Sequence, residues 1–257
     1  MSSYIKQFLS VRTKIVLLCV VSVFAIASCA SSGGSGGGGS VDDGYQWARV
    51  YLVSQGPTVG DSGSFWDGLT GTVVDKRPWD GTAADATGVF YLAVDEKNLY
   101  LRAEIKDAAP QLRPDDMPAG DAWNGTSLQV FFGTNTKRHV EYEEGDNGIS
   151  LWVIADAAAE GGRKVVAAKG RVLNDRQYTA AVVEWVENAS YTIEVSFPLD
   201  ILGITKPFKA GQKVRCEFRI NHAKHGEDRT VIVNWRTSSD DAWKDTTTWS
   251  DGVVEAK

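Results

Sequence analysis

The chain has 257 residues, of which 43% are hydrophobic and 23% charged, and its formal net charge is −6. This composition excludes an intrinsically disordered chain and a collagen-like chain. The acidic balance argues against nucleic acid as a partner, because a negative surface repels phosphate backbones. Three cysteines, Cys19, Cys29 and Cys216, are too few for a disulfide-stapled scaffold or a multi-cysteine zinc site.

Residues 1–28 have the pattern of a secretory signal peptide. Three basic residues precede an apolar run from Ile15 to Ala27, which is short for a membrane-spanning helix of about 20 residues. The run ends in Ile-Ala-Ser-Cys, which resembles the lipobox of bacterial lipoproteins. In those proteins the chain is cleaved before the cysteine, which is then lipidated. The sequence therefore predicts Cys29 as the lipidation site, the alternative being an ordinary small-residue cleavage site.

Residues 29–42 are predicted to be a tether. They contain the run SSGGSGGGGS, which has no apolar side chain to bury and spans about 17 Å as a flexible coil. The tether would let a folded domain, residues 43–257, stand off the membrane that holds the lipid. Ala30 follows the cysteine where an inner-membrane retention signal often has aspartate, so an exported protein of the outer membrane or cell surface is expected.

The remaining chain is dominated by alternating apolar and polar residues. In 98–106 the leucines, alanine and isoleucine alternate with Tyr100, Arg102 and Glu104, and the same period of two recurs in 190–197 and 213–221. A period of two indicates a strand with one buried face. Seven further strands are predicted at 47–54, 88–94, 127–133, 149–155, 164–168, 178–187 and 230–236.

The fold class predicted from these segments is all-β. About ten short strands separated by turn residues, with no sustained helical period, favour an antiparallel β-sandwich of two packed sheets. Cys216 alternates with Val214 and Phe218, so it is predicted to be a buried apolar side chain and not a reactive thiol.

Five segments, in chain order, resemble the carbohydrate-binding module family 9 superfamily. The segments are DEKNLYL running on to Lys106-Asp107, WNGTSLQVF at 123–131, YTIEVSFPLDILG at 191–203, AGQK at 210–213 running on to His222, and 234–249 with its tryptophans. The resemblance implies a sugar-binding β-sandwich, in agreement with the alternation. Thr126 and Gln129 depart from the pattern, since they stand where the family has acidic residues.

The resemblance also implies where a sugar would bind. Trp123 and Trp243 correspond to two aromatic residues that clamp a sugar between their rings, whose apolar faces suit the C–H faces of a sugar. Polar positions on the adjoining sheet would read the hydroxyl groups. By alternation one outward face carries all of the candidates for this role, which are Gln129, Ser150, Trp152, Arg219 and Asn221.

No cofactor is required by this interpretation, although the family often carries structural calcium. The acidic residues Asp107, Asp115, Asp116 and Asp121 could supply oxygen ligands, but their spacing matches no fixed calcium template. His222 and His225 lie in the sequence NHAKHGED, which is predicted to be a solvated loop, not a metal site.

The leading hypothesis is a non-catalytic, membrane-anchored lipoprotein whose partner is an oligo- or polysaccharide. Three alternatives stay open from sequence. A glycoside-active enzyme needs only two suitably placed carboxylates, which sequence cannot identify. A haem-binding redox module of the same fold would take axial ligands from Met117, a histidine or a lysine. A purely structural envelope lipoprotein needs no ligand at all.

Overall fold

The structure is a computed structural model that describes residues 47–76, 83–108, 110, 112, 121–223 and 228–257. The predicted signal peptide, Cys29 and the tether lie outside the described residues. Tyr45–Lys257 form one compact unit. Within the described ranges, no helical segment has the length and hydropathy needed to span a bilayer.

Twelve strands make up this unit. They are β1 (Ala48–Leu52), β2 (Thr72–Lys76), β3 (Ala83–Val94), β4 (Asn98–Asp107), β5 (Ser127–Gly133), β6 (Asp146–Ala155), β7 (Arg163–Ala168), β8 (Thr179–Val186), β9 (Ser190–Pro198), β10 (Lys213–His222), β11 (Val231–Asn234) and β12 (Ser250–Ala256). The helices of the described residues are single 3-10 turns at Glu160–Gly162, Asp241–Trp243 and Thr246–Thr248.

The strands form two layers that are joined by hydrogen bonds. One layer contains β7, β6, β5, β10 and β12, and the other contains β2, β3, β4, β9 and β8. Strand β11 pairs with β10 and with β2, whereas β1 pairs with β12 and with β3. Hydrogen bonding therefore continues from one layer into the other along one side of the sandwich.

The core lies between the two layers and is built from the apolar half of each alternating pattern. Phe90 on β3 contacts Phe218 on β10, with ring centroids 5.0 Å apart. Leu101 and Val195, paired across β4 and β9, are both buried in the same cluster. Cys216 is buried there as predicted, and burial raises the pKa of its thiol, so a thiolate is disfavoured.

The predicted all-β sandwich is confirmed, and all ten predicted strands are present. The structure differs from the prediction in two respects. Strands β2 and β12 were not predicted, and β1 runs parallel to both of its neighbours in a fold that is otherwise antiparallel. A parallel pair needs a long crossover connection, and residues 53–82 supply one between β1 and β3.

Candidate functional site

A cleft of about 770 Å³ lies on the outer face of β5, β6 and β10. Its volume is within the range typical of ligand sites, about 300–1,000 Å³. Inward-pointing residues of β5, such as Leu128 and Val130, belong to the core, and the alternate residues Gln129 and Phe131 face the cleft. The lining comprises Trp123, Gln129, Phe131, Tyr142, Gly148, Ser150, Ala168, Lys169, Gly170, Arg219, Arg229, Asp240 and Trp243.

The structure brings together five of the seven residues that sequence analysis assigned to a sugar site. Trp123, Gln129, Ser150, Arg219 and Trp243 all line the cleft, although they come from segments separated by up to 120 positions. The two tryptophans are exposed, at 42% for Trp123 and 58% for Trp243. Exposure of that size is unusual for tryptophan, and it leaves ring area free for a ligand.

Trp243 is presented by a firmly held turn. Its neighbour Ala242 is fully buried, and the Ala242 carbonyl accepts hydrogen bonds from Trp249 Nε1 at 2.8 Å and from the Tyr142 hydroxyl at 3.1 Å. Trp249 is itself buried and packs edge-on against Tyr142, with ring centroids 5.1 Å apart. The 3-10 turn is thus anchored on one side and leaves Trp243 exposed on the other.

Tyr142 closes one side of the cleft over a glycine. A Cβ at Gly148 on β6 would lie 2.7 Å from the Tyr142 hydroxyl oxygen, so a larger residue there would displace the tyrosine. Burial raises the pKa of Tyr142, and the hydroxyl stays a hydrogen-bond donor to Ala242 at neutral pH. Gly148 is therefore a packing requirement of this cleft wall.

Arg219 on β10 forms part of the floor of the cleft and is almost completely buried. Its guanidinium donates to Asn234 Oδ1 at 2.8 Å, Gln129 Oε1 at 3.3 Å, the Ser239 carbonyl at 3.3 Å and Asp240 Oδ1 at 2.6 Å. Burial lowers the pKa of Arg219, and Asp240 offsets part of that effect. An arginine retains its charge in such surroundings, so a fixed cation lies beneath the cleft.

A second arginine connects the floor to the Trp123 rim. Arg229 donates to Asp240 Oδ2 at 3.2 Å and to Asn221 Oδ1 at 3.2 Å. Its guanidinium carbon lies 4.6 Å from the centroid of the Trp123 ring, a cation–π distance. Asp240 thereby bridges two arginines, and Arg229 restrains the orientation of Trp123.

Trp152 and Asn221 are not part of the cleft lining, in contrast to the prediction. Trp152 does share the outer face of β6 with Ser150, but it is 3% exposed because it packs in a small cluster with Ala122 and Ala168. Asn221 is fully buried and donates to Ser127 Oγ at 3.1 Å. Its amide oxygen accepts from Arg229, so Asn221 contacts the cleft only through that arginine.

Sequence reasoning missed Phe131, Tyr142, Lys169, Arg229 and Asp240 as cleft residues. Phe131 could have been found, because it alternates in phase with Gln129 along β5. The other four lie in connections between strands, where no periodic pattern indicates which way a side chain points. Their positions depend on the packing of the connections.

Glu217 is a buried carboxyl that holds the connection leading to Asp240 and Trp243. It lies on β10 and accepts from the Arg236 amide at 2.9 Å, just beyond the end of β11. Burial is the main cause that raises the pKa of Glu217 from 4.5 to about 7, against the lowering effect of the amide hydrogen bonds. The group thus titrates near neutral pH.

The stability of the protein is expected to fall as the pH rises through about 7. The pKa of Glu217 is higher in the folded state than in the unfolded chain, so folding favours its protonated form. Its contribution is fully present below about pH 4 and is lost between about pH 4 and 7. Thermal melts across this range should show the decline, and Glu217→Gln, which keeps the acceptor oxygen, should flatten it. An equally steep profile in the variant would contradict the assignment.

The predicted calcium ligands are only partly described. Asp115 and Asp116 lie outside the described residues, and Asp121 is exposed. Asp107 is buried and pairs with His222 Nδ1 at 3.1 Å. In the described part of the chain no group of three or more histidine, cysteine or acidic residues could hold a metal ion, and calcium stays a prediction.

The prediction that NHAKHGED is a solvated loop is wrong for His222. It is the last residue of β10 and is 2% exposed, because the strand continues one residue further than its alternating pattern suggested. His225 lies outside the described residues.

Comparisons with known proteins agree with this architecture. The chain resembles a carbohydrate-binding module family 9 from Caldicellulosiruptor kristjanssonii solved with cellotriose, at 17% identity and a TM-score of 0.60, over 81% of this chain and 94% of that chain. The same module solved with glucose aligns at 16% identity and a TM-score of 0.59, over 81% and 96%. At these identities the likeness establishes the fold. A comparison with the sequences of curated proteins finds none that matches.

The family comparison covers most of the chain. The model for the family described as "Carbohydrate family 9 binding domain-like" matches residues 60–256. That range includes eleven of the twelve strands, β2 to β12, and every residue that lines the cleft. The chain therefore belongs to the carbohydrate family 9 binding domain-like family.

Proposed function

We propose that this protein binds carbohydrate, without catalysis, in the cleft between Trp123 and Trp243. The observation that carries the proposal is the pairing of two exposed tryptophans with a polar floor of Gln129, Ser150 and Arg219 in one cleft. Tryptophan faces suit the C–H faces of sugar rings, and fixed polar groups suit the hydroxyls. The solved relatives that hold cellotriose and glucose support the same ligand class.

The polar side chains of the cleft floor are held in place by hydrogen bonds to one another without a ligand. Gln129 lies within hydrogen-bond distance of both Arg219 and Ser150, with Nε2 of the amide 3.4 Å from Ser150 Oγ. Side chains held by such contacts lose little further freedom when a ligand binds, which favours affinity. In the proposed complex the two tryptophan rings pack against the sugar rings, and the Gln129 network forms hydrogen bonds with the sugar hydroxyls.

The described lining of the cleft does not contain the pair of carboxyl groups that glycoside hydrolysis needs, which favours binding without hydrolysis. Glycosidases use a pair of carboxyl groups on opposite sides of the scissile bond. Among the described lining residues only Asp240 is acidic, and both of its oxygens are engaged by Arg219 and Arg229. A carboxylate whose two oxygens are both held by guanidiniums is not positioned as one of a pair of carboxyl groups flanking a glycosidic bond.

A glycan-array screen of residues 41–257 tests the proposal. Binding to one or more oligosaccharides, with no release of reducing ends on prolonged incubation, is the expected result. Reducing-sugar release above a blank would support the enzyme alternative instead. A protein that binds no glycan on the array and gains no thermal stability from any of them would contradict the proposal.

We further propose that the domain is anchored to a membrane through Cys29, at the outer membrane or the cell surface. The support is the sequence Ile26–Cys29 at the end of the apolar run and the Gly/Ser tether that follows. Two or more acyl chains on one residue suffice for stable anchoring. Structural calcium in the Asp107–Asp121 region is a separate proposal, resting on the family resemblance alone.

Cys29→Ser is expected to release the protein from membranes or to block its processing. The hydroxyl of serine cannot carry the thioether-linked lipid, so the anchor is lost. Membrane fractionation and mass spectrometry of the mature N-terminus measure the effect. Cys19→Ser is the matched control, because Cys19 lies inside the apolar run and would be removed with the signal peptide. An unmodified mature N-terminus at another residue would refute the lipid anchor.

A further inference from the structure

The cleft carries positive charge in an acidic protein. The whole chain has a net charge of −6. The described residues that line the cleft include three cations, Lys169, Arg219 and Arg229, and a single carboxylate, Asp240. The charge of the described cleft lining is therefore opposite in sign to the net charge of the chain.

The single charge of Asp240 does not neutralise both of the arginines that it bridges. Asp240 contacts Arg219 at 2.6 Å and Arg229 at 3.2 Å, so one negative charge is shared by two guanidiniums. The trio keeps a net positive charge. Asp241, the next residue, forms its ion pair with Lys244, at 2.9 Å.

Lys169 is the cation that lacks a carboxylate partner. It follows β7 at the cleft wall, and its ammonium donates to the Ile201 carbonyl at 3.2 Å. Within the described ranges, no aspartate or glutamate lies within ion-pair distance of this ammonium, whereas Lys164 on β7 pairs with Asp175 at 3.2 Å. Partial burial lowers the pKa of Lys169, and no neighbouring charge opposes that effect.

We propose that the glycan bound in this cleft carries an anionic substituent, a uronic-acid carboxylate or a sulfate, that pairs with Lys169. The inference rests on the proposed function and narrows its ligand class. A carboxylate or sulfate would supply the counter-charge that Lys169 lacks and would raise its pKa. Arg229 lies next to the Trp123 face, and within the described residues Asn221 and Asp240 engage two of its five N–H groups, so it provides a second charged donor for the same ligand.

The geometry gives each group a separate task. Trp123 and Trp243 offer apolar faces to sugar rings, and Gln129 and Ser150 lie at hydroxyl-reading positions on the floor. Lys169 extends from the β7–β8 connection on the opposite side of the floor from β10, since the layer order is β7-β6-β5-β10. In the proposed complex the ring lies between the tryptophans and its charged substituent is directed towards Lys169, which lines the same cleft.

The test uses matched pairs of oligosaccharides that differ only in charge. The probes are β-1,4-glucuronate, α-1,4-galacturonate and mannuronate oligosaccharides, each beside its carboxyl-reduced form, and 6-O-sulfated beside unmodified cello-oligosaccharides. Isothermal titration calorimetry with the full chain measures each affinity. The detergent has no sugar head group, so that it does not compete with the oligosaccharide for the cleft. The acidic member of at least one pair is expected to bind about 5-fold more tightly than its neutral form at low salt, a difference that shrinks at high salt.

Lys169→Met should reduce the affinity for the acidic member more than that for the neutral member. Lys97→Met, in the turn between β3 and β4, removes the same charge far from the cleft and should leave the preference intact. A carboxylate pair and the sulfate pair, measured separately, distinguish the two anions. Equal or weaker binding of every acidic member would overturn this inference and leave the proposed function standing. Absence of binding to all members, acidic and neutral, together with a negative glycan array, would refute both.

Discussion

Val195→Asp is expected to unfold the domain. Val195 is fully buried on β9, opposite Leu101 of β4, inside the core between the two layers. Aspartate at this position would place an unpaired charge among apolar side chains, at a cost of several kcal/mol, and a domain of this size has only about 5–15 kcal/mol in total. Circular dichroism and thermal melting of the variant measure the loss. Leu101→Asp should behave in the same way.

Val73→Asp is the matched control for the core charge. Val73 lies on β2 and is 53% exposed, so the new carboxylate stays in water. The unfolding free energy should then change by less than about 1 kcal/mol, as for other surface substitutions. A folded Val195→Asp protein, with a melting curve similar to that of Val73→Asp, would contradict the layer assignment of β9.

Alternation predicted most of the strands because the sandwich buries one face of each of them. Strand β12 was not predicted, because Gly252 interrupts its alternating pattern and glycine is typical of turns. In the structure that glycine is needed for close packing, since a Cβ there would lie 3.0 Å from the Ala48 carbonyl of the parallel neighbour β1. The direction of β1 could not be read from its sequence, because a period of two is the same for parallel and antiparallel strands.

The candidate site was predicted to the extent that its residues lie on strands. Alternation assigned Gln129, Ser150 and Arg219 to one face, and the structure places all three in one cleft. The same rule failed for Trp152, since it identifies the face of a strand but not whether a connection covers it. The charge of the cleft could not be predicted either, because Lys169 and Arg229 lie outside the strands and come near the floor only in the folded chain.

Trp243→Ala is expected to lower glycan affinity by about 5- to 150-fold with little effect on folding. The ring is 58% exposed, so its removal takes an apolar platform from the complex and few contacts from the core. Losses of about 1–3 kcal/mol are typical when an aromatic hot spot is truncated. Trp123→Ala should have a similar effect, with an additional contribution from Arg229, which loses its cation–π partner. Calorimetric titration with a glycan identified on the array, beside thermal melts without ligand, separates the two quantities.

Trp66→Ala is the matched control, because it removes a tryptophan that lies outside the proposed sugar site. Trp66 is 5% exposed and donates to Glu194 at 3.1 Å in the other layer, so it lies away from the cleft. The same substitution there should cost about 3–5 kcal/mol of stability and leave the affinity of the remaining folded protein unchanged. If Trp243→Ala and Trp123→Ala instead lost that much stability and bound glycan normally, both rings would be structural, and the sugar would have to bind elsewhere on the sandwich.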